Sequence, residues 1–438
     1  MKKTMILPVL GAGMALLLGS AGTASAHFLW LEVPEKSSTT LRVTFGEEAP
    51  DATTPRLLER IQKARAWTAA GRNLDLKLGT GALTADLAAD SALAGAEQTW
   101  DVLDRSEEGR GKFLLNYYAK AAGGIDSAAQ SVKLPVEVFA KRDGGICTLT
   151  VRRGDAPAAG AEVWAQLPGG GSPLTLKTDA AGEARFALSR DGEYQVRAMV
   201  ADPKPGTWND KPYELVRNYS TLTFHAEGKV GADEILSAAQ RLRETWNRSF
   251  PGFTAHLRID KDGEVAEGPV KVAANGEVEL KLEDPDLNKE AVETFQSIVT
   301  HRLPRPTSYQ PSFGPEDRHP QGRSVLLGDT SNSMYRIKDG QIMQVNRDAG
   351  PTRFTIDMLS NTLLEDGKYL PSSFTVSYRD AKNGKLLRVE SYSERYEKVG
   401  GYWLPVERQE VNSREGATSV TRITLSNLLL NAPAKTDE

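Results

Sequence analysis

From residue 112 onward the chain is cut into short apolar segments by Gly, Pro and Asp at intervals of roughly ten residues, and this spacing constrains the fold more than any other feature. Segments at 112–120, 135–140, 146–152, 162–167, 174–178, 183–188 and 194–200 each have strand length, and a further one ends at Phe224-His225. Short strands at that interval with turn residues between them imply an antiparallel β-sandwich. Thr178-Asp179-Ala180-Ala181-Gly182 fits a tight turn, with Gly182 free to take a positive φ.

The pattern restarts after the polar stretch Ala226-Glu227-Gly228-Lys229. Ile235, Ala239, Leu242 and Trp246 recur at helical spacing and predict an amphipathic helix over 233–247. A second helix is expected over 288–301, where Ala291, Phe295, Ile298 and Val299 make an apolar stripe. Strands fill most of the rest of 254–428. The expected fold is therefore mainly β: a sandwich over 27–228, then an α+β domain over 229–438 with a curved antiparallel sheet and one or two helices. Residues 50–110 read as an irregular excursion, with short helices at 57–61 and in the Ala-rich 81–97.

Lys2 and Lys3, an apolar run from Met5 to Leu18 and the small residues Ala24-Ser25-Ala26 form a signal-peptide pattern over 1–26. Cleavage there leaves His27 as the mature N-terminus and predicts a periplasmic or secreted protein with no membrane span after processing. Loss of the two signal lysines takes the formal charge from −4 to about −6. With no basic stripe, nucleic acid is not an expected partner. Cys147 is the single cysteine, so no intrachain disulfide is available and the fold rests on its apolar cores.

Two resemblances follow from longer stretches. His27-Phe28-Leu29-Trp30-Leu31, Val43-Thr44-Phe45-Gly46, Leu115–Lys120 and the run from Gly160 to Gly182 resemble an exported domain family of unknown function. That family is related to the periplasmic substrate-binding component of nickel and cobalt uptake transporters. The second half, through Phe250–Ala255, His319–Arg323, Gln344–Arg347 and Tyr402–Pro405, resembles another domain family of unknown function. A helix followed by a curved sheet is also similar in architecture to the half-barrels that carry lipoproteins across the periplasm. Such likeness bears on fold before function.

At a mature N-terminus, His27 offers an α-amine and an imidazole to one metal, a donor pair suited to Cu(II) or Ni(II). His225 is the other histidine of the first half and would complete the site if the last strand lies beside the first. The implied cofactor is a divalent transition metal (Ni, Co or Cu), and the implied partner a membrane transporter. In the second half, His319, Arg323, Tyr335, Arg336, Asn346 and Arg347 are candidates for a polar pocket that takes an anionic or glycan-like group. His301-Arg302, at the end of a helix, reads as a structural cation near the carbonyl end.

No zinc-hydrolase helix, nucleophile elbow, phosphate loop or Cys-x-x-Cys pair occurs, so a binding protein is expected rather than an enzyme. Three readings remain open. The first is metal capture at His27. The second is a carrier or interaction protein that holds an apolar or glycan-like ligand in the second domain's sheet. The third is a secreted enzyme acting on polysaccharide or lipid, which would need two carboxylates, or a copper-bound His27, at the floor of a cleft open to solvent.

Overall fold

The structure, a computed structural model, describes residues 27–32, 39–88, 93–227, 230–303 and 309–432. The signal segment expected at 1–26 lies outside the described residues. The mainly-β expectation holds, and the first half is more layered than a two-sheet sandwich.

Its centre is an eight-stranded sheet that contains Leu93–Arg105, Gly111–Ala122, Gly192–Asp202 and Leu215–Ala226. A smaller sheet covers each face. On one side Val136–Asp143, Ile146–Arg153 and Glu183–Ala187 pack over Tyr118, Tyr194, Val196, Leu222 and Phe224. On the other, the hairpin Phe28–Glu32 with Thr40–Gly46 packs over Phe113, Leu115 and Tyr117. Alternation along Gly111–Ala122 sends successive side chains to opposite cores, which is how one strand serves both layers.

Two sequence expectations change here. The Ala-rich stretch is strand, not helix: Ala94 and Ala96 are buried in Leu93–Arg105, and a Cβ on Gly95 would stand 2.8 Å from Val132 Cγ2. Small residues are there because the layers come close, and that packing overrides the helix propensity of Ala. Secondly, Leu215–Ala226 pairs in parallel with Gly111–Ala122, because the chain between them crosses through a covering sheet before returning.

The second half is one twelve-stranded antiparallel sheet. It runs as a meander from Ser312–Phe313 to Ala417–Leu430, and the last strand closes onto Phe253–Lys261. Two helices lie on one face, called here the inner face. The helix Pro285–Thr300 starts with Pro at its first turn and with Asp284 accepting hydrogen bonds from the backbone N–H groups of Asp286 (2.9 Å) and Leu287 (2.8 Å). Its stripe Leu287, Ala291, Phe295 and Val299 is buried against Phe253, Leu257, Ile423 and Leu425. Arg302 is 2% exposed just beyond this helix and donates to the Glu244 carbonyl at 2.8 Å, a structural role as expected.

The helix Ala232–Leu242 stops four residues short of Trp246. Arg243 turns extended and Glu244 donates its N–H to the Tyr369 carbonyl at 2.9 Å, so Trp246 enters the core from a loop. This helix bridges the halves. Its Ala238 and Leu242 meet Ile146 and Ala187 of the first and Tyr369 of the second, while Leu236 and Ala239 pack on Val325, Leu327 and Ile337. The turn Glu365–Gly367 adds to the seam: Lys177 N–H donates to the Glu365 carbonyl (2.6 Å) and Arg185 N–H to that of Asp366 (3.0 Å).

Candidate functional site

Strand registry assigns each side chain of the large sheet to a face. Directly opposed residues share a face, so Tyr335, Val345, Ile356, Val376, Glu390 and Asn412 form one row. The adjoining row runs Met358, Phe374, Tyr392, Glu410, Thr421. Thr421 donates to Glu290 of the helix Pro285–Thr300 (2.8 Å), and Tyr335 packs on the bridging helix, so both rows lie on the inner face.

The two helices cover only the flanks of that face. Between them, Thr352–Leu363, Tyr369–Asp380 and the first part of Leu386–Val399 carry large apolar side chains that stay half-exposed: Phe354, Ile356, Met358, Phe374, Tyr378 and Tyr392. Phe374 and Tyr392 stack at 4.7 Å between ring centres, and Phe354 leans on Tyr378 at 6.1 Å. The outer face of the same strands is polar and bonded to itself. Gln344 donates to Asp357 at 2.7 Å, and Thr355 to Asn346 at 2.6 Å. The inner face therefore has the side chains of a buried surface without a complete cover.

Toward Leu386–Val399 and Tyr402–Arg414 the inner face becomes charged. Arg388 pairs with Glu390 (2.9 Å), which also accepts from the Tyr392 hydroxyl (2.9 Å). Arg408 Nε donates to Glu394 (2.8 Å) and its Nη1 reaches the Thr294 carbonyl (3.5 Å). Glu410 has a weaker partner, the Asn412 amide at 3.5 Å. Burial, followed by the neighbouring Glu390, holds the Glu410 carboxyl above the usual range. The same burial pushes the Tyr392 phenol up, so it stays a neutral donor.

The six second-half candidates do not converge. Tyr335 and Arg347 lie on the inner face, where Arg347 donates to the Tyr335 hydroxyl (3.0 Å) and to Ser333 (2.9 Å). Arg336 and Asn346 are their chain neighbours and point to the outer face, since consecutive strand residues alternate. Arg336 is engaged there by both oxygens of Asp317, at 3.0 and 2.8 Å. His319 is exposed on a loop, its Nδ1 accepting from Gln321 N–H at 3.2 Å. Arg323 stacks over Phe313 at 3.8 Å and edges a crevice of about 260 Å³ between the halves, lined also by Arg190, Ile235 and Gly340.

The two histidines of the proposed metal site are also apart. The first strand does lie over the last strand of the domain, as that reading required. Thr221 donates to the Leu29 carbonyl (2.7 Å) and Thr223 to that of Leu31 (2.6 Å), so the strands run in the same direction. His27 then falls level with Tyr219 and stacks on Phe45 at 5.9 Å, whereas His225 is six residues farther along, opposite Glu193. At about 3.3 Å per residue the separation is about 20 Å, far beyond a shared coordination sphere. Among the described residues no group of three or more His, Cys, Asp or Glu side chains is arranged to hold a metal ion. Cys147 is buried in the first core, where burial pushes its thiol up, in keeping with a packing role.

The inner-face rows were missed in the sequence, although their signal is there: Phe354, Ile356, Met358 and then Phe374, Val376, Tyr378 alternate strictly with polar residues. What alternation does not show is whether anything covers the apolar side.

Residues 228–430 match the model of a family described as a protein of unknown function, DUF3386. No curated protein matches the chain. Among solved structures, an outer membrane lipoprotein-sorting protein domain from Vibrio parahaemolyticus is 11% identical, covering 46% of this chain and 92% of its own, with a TM-score of 0.21. A DUF1329 family protein from Desulfovibrio piger gives the same identity and coverage with a TM-score of 0.17. Overlaps at these scores carry no argument about fold or ligand. No helix among the described residues is long and apolar enough to cross a membrane.

Proposed function

We propose that this is an exported carrier or binding protein whose second domain holds an apolar ligand on the inner face of its sheet. The observation that carries the reading is the half-exposed apolar patch of Phe354, Ile356, Met358, Phe374, Tyr378 and Tyr392 between two flanking helices. Fully burying one such side chain contributes about 1.5–3 kcal/mol. An acyl chain laid across half-exposed rows would collect a part of that from each. The first domain, on this reading, braces the sheet through the bridging helix and the turn at Glu365–Gly367.

The reading is tested by titrating the mature protein with N-dodecyl dansylamide, an uncharged fluorescent probe with one long alkyl chain, and following the fluorescence. Saturable one-to-one binding is expected, weakened about tenfold or more by Phe374→Ser or Ile356→Ser, a loss of about 1.4 kcal/mol or more. Absence of saturable binding, or affinity in both variants equal to that of the unsubstituted protein, would reject it.

A further inference from the structure

The inner face is divided, and the division bears on what the ligand looks like. Its apolar part lies on Thr352–Leu363 and Tyr369–Asp380, and its charged part on Leu386–Val399 and Tyr402–Arg414. Tyr392 stands at the border, stacked on Phe374 on one side and opposed to Glu410 on the other.

In the charged part the guanidinium groups near the border are already committed. Arg388 is held by Glu390, and Arg408 by Glu394. Arg414 is on the same face but exposed and four residues along the strand from Glu410, a distance of about 13 Å. Glu410 is thus left with the neutral Asn412 amide at 3.5 Å as its hydrogen-bond partner, beside an apolar floor. A carboxylate so placed is stabilised by a cation that arrives with the ligand.

We propose that the ligand is amphipathic, with a single apolar chain over Ile356 and Phe374 and an amine-bearing, cationic head over Glu410. This rests on the carrier reading and deepens it. The geometry offers a chain of modest length the reach it needs: Phe374 and Glu410 are two strands apart, about 10 Å at a strand spacing near 4.8 Å. A carboxylate head on the same chain would meet Glu410, the one carboxylate here not paired with a guanidinium, since Glu390 and Glu394 hold Arg388 and Arg408, so the face discriminates by sign of charge as well as by apolarity.

The experiment is displacement of the uncharged N-dodecyl dansylamide probe from the mature protein by dodecylamine, dodecanol and dodecanoate at pH 7.5, each below its micellar range. Dodecylamine is expected to compete at least tenfold better than dodecanol. Glu410→Gln should bring the two within about twofold while leaving dodecanol unchanged, and Ile356→Ser should weaken all three alike. If dodecanol or dodecanoate equals dodecylamine, or if Glu410→Gln leaves the amine's advantage intact, the head assignment is overturned while the carrier reading stands. If none of the three displaces the probe and Ile356→Ser changes nothing, both fall together.

Discussion

The two halves solve the same problem differently: each has one large sheet with apolar side chains to hide. In the first, a smaller sheet lies on either face, and even the central Lys120 is enclosed, with no exposed area. In the second, helices close the two flanks of the inner face and leave the middle strands half-exposed. A sheet buried on both sides is a finished structure. One with an apolar side partly open has packing capacity left over, and this difference is why the proposed ligand surface is put in the second half.

Lys120 gives the sharpest way to break that contrast. It pairs with Glu137 at 2.8 Å and donates to the carbonyls of Ala128 (3.1 Å) and Gln130, tying the segment that follows the strand back under the sheet. Glu137 in turn accepts from Ser131 (2.7 Å) and Val132 N–H (2.9 Å). Burial lowers the lysine's pKa while Glu137 opposes the shift, as expected for a pair that is desolvated and satisfied. Lys120→Met leaves Glu137 buried without its cation and should cost about 3–5 kcal/mol in denaturant unfolding. A loss below about 1 kcal/mol would mean that the first half is not the closed structure described.

The seam between the halves comes next in size. Gly367 has a φ of +89°, and a Cβ there would stand 1.7 Å from the Arg185 carbonyl oxygen, a backbone atom that cannot swing aside. Gly367→Ala should cost about 2–4 kcal/mol through left-handed strain and the weakened hydrogen bonds at Lys177 and Arg185. Limited proteolysis between residues 226 and 232 should speed up accordingly. Unchanged cleavage and stability would detach the bracing role from this turn.

Much of this fold was legible from period and punctuation. The alternating segments became strands, and the stripe of Ala291, Phe295 and Val299 became a helix, because each is decided by near neighbours in sequence. Misreadings arose where distant contacts decide. Ala94 and Ala96 form strand because two layers close over them. His27 and His225 were expected to meet because their strands adjoin, and strand direction, which no local pattern encodes, separates them. Of the polar pocket, Tyr335 and Arg347 share a face while Arg336 and Asn346 share the opposite one, a consequence of alternation that was available in the sequence. The inner-face rows were visible as alternation, but their exposure depends on where the helices stop.

The smallest effect concerns the hairpin that covers the first sheet. Glu32 lies at its end, 5% exposed, with one oxygen paired to Arg42 at 2.9 Å and the other, Oε1, buried without a hydrogen-bond partner. Burial raises its carboxyl to about 7 against the pull of Arg42, and Glu193 and Asp51 add to the rise. The folded chain therefore keeps this proton up to about pH 7, whereas the unfolded chain releases it above about 4.5. Its contribution to stability is complete below pH 4.5 and is lost as the pH rises to 7, by less than about 1.4 kcal/mol across any one unit. Glu32→Gln should flatten that slope in melts taken between pH 5 and 7.5 and leave ligand binding at the second domain's inner face unchanged. If the substitution alters binding instead, the two halves are coupled more tightly than a brace requires, and the separation of a closed first half from a ligand-bearing second one would have to be redrawn.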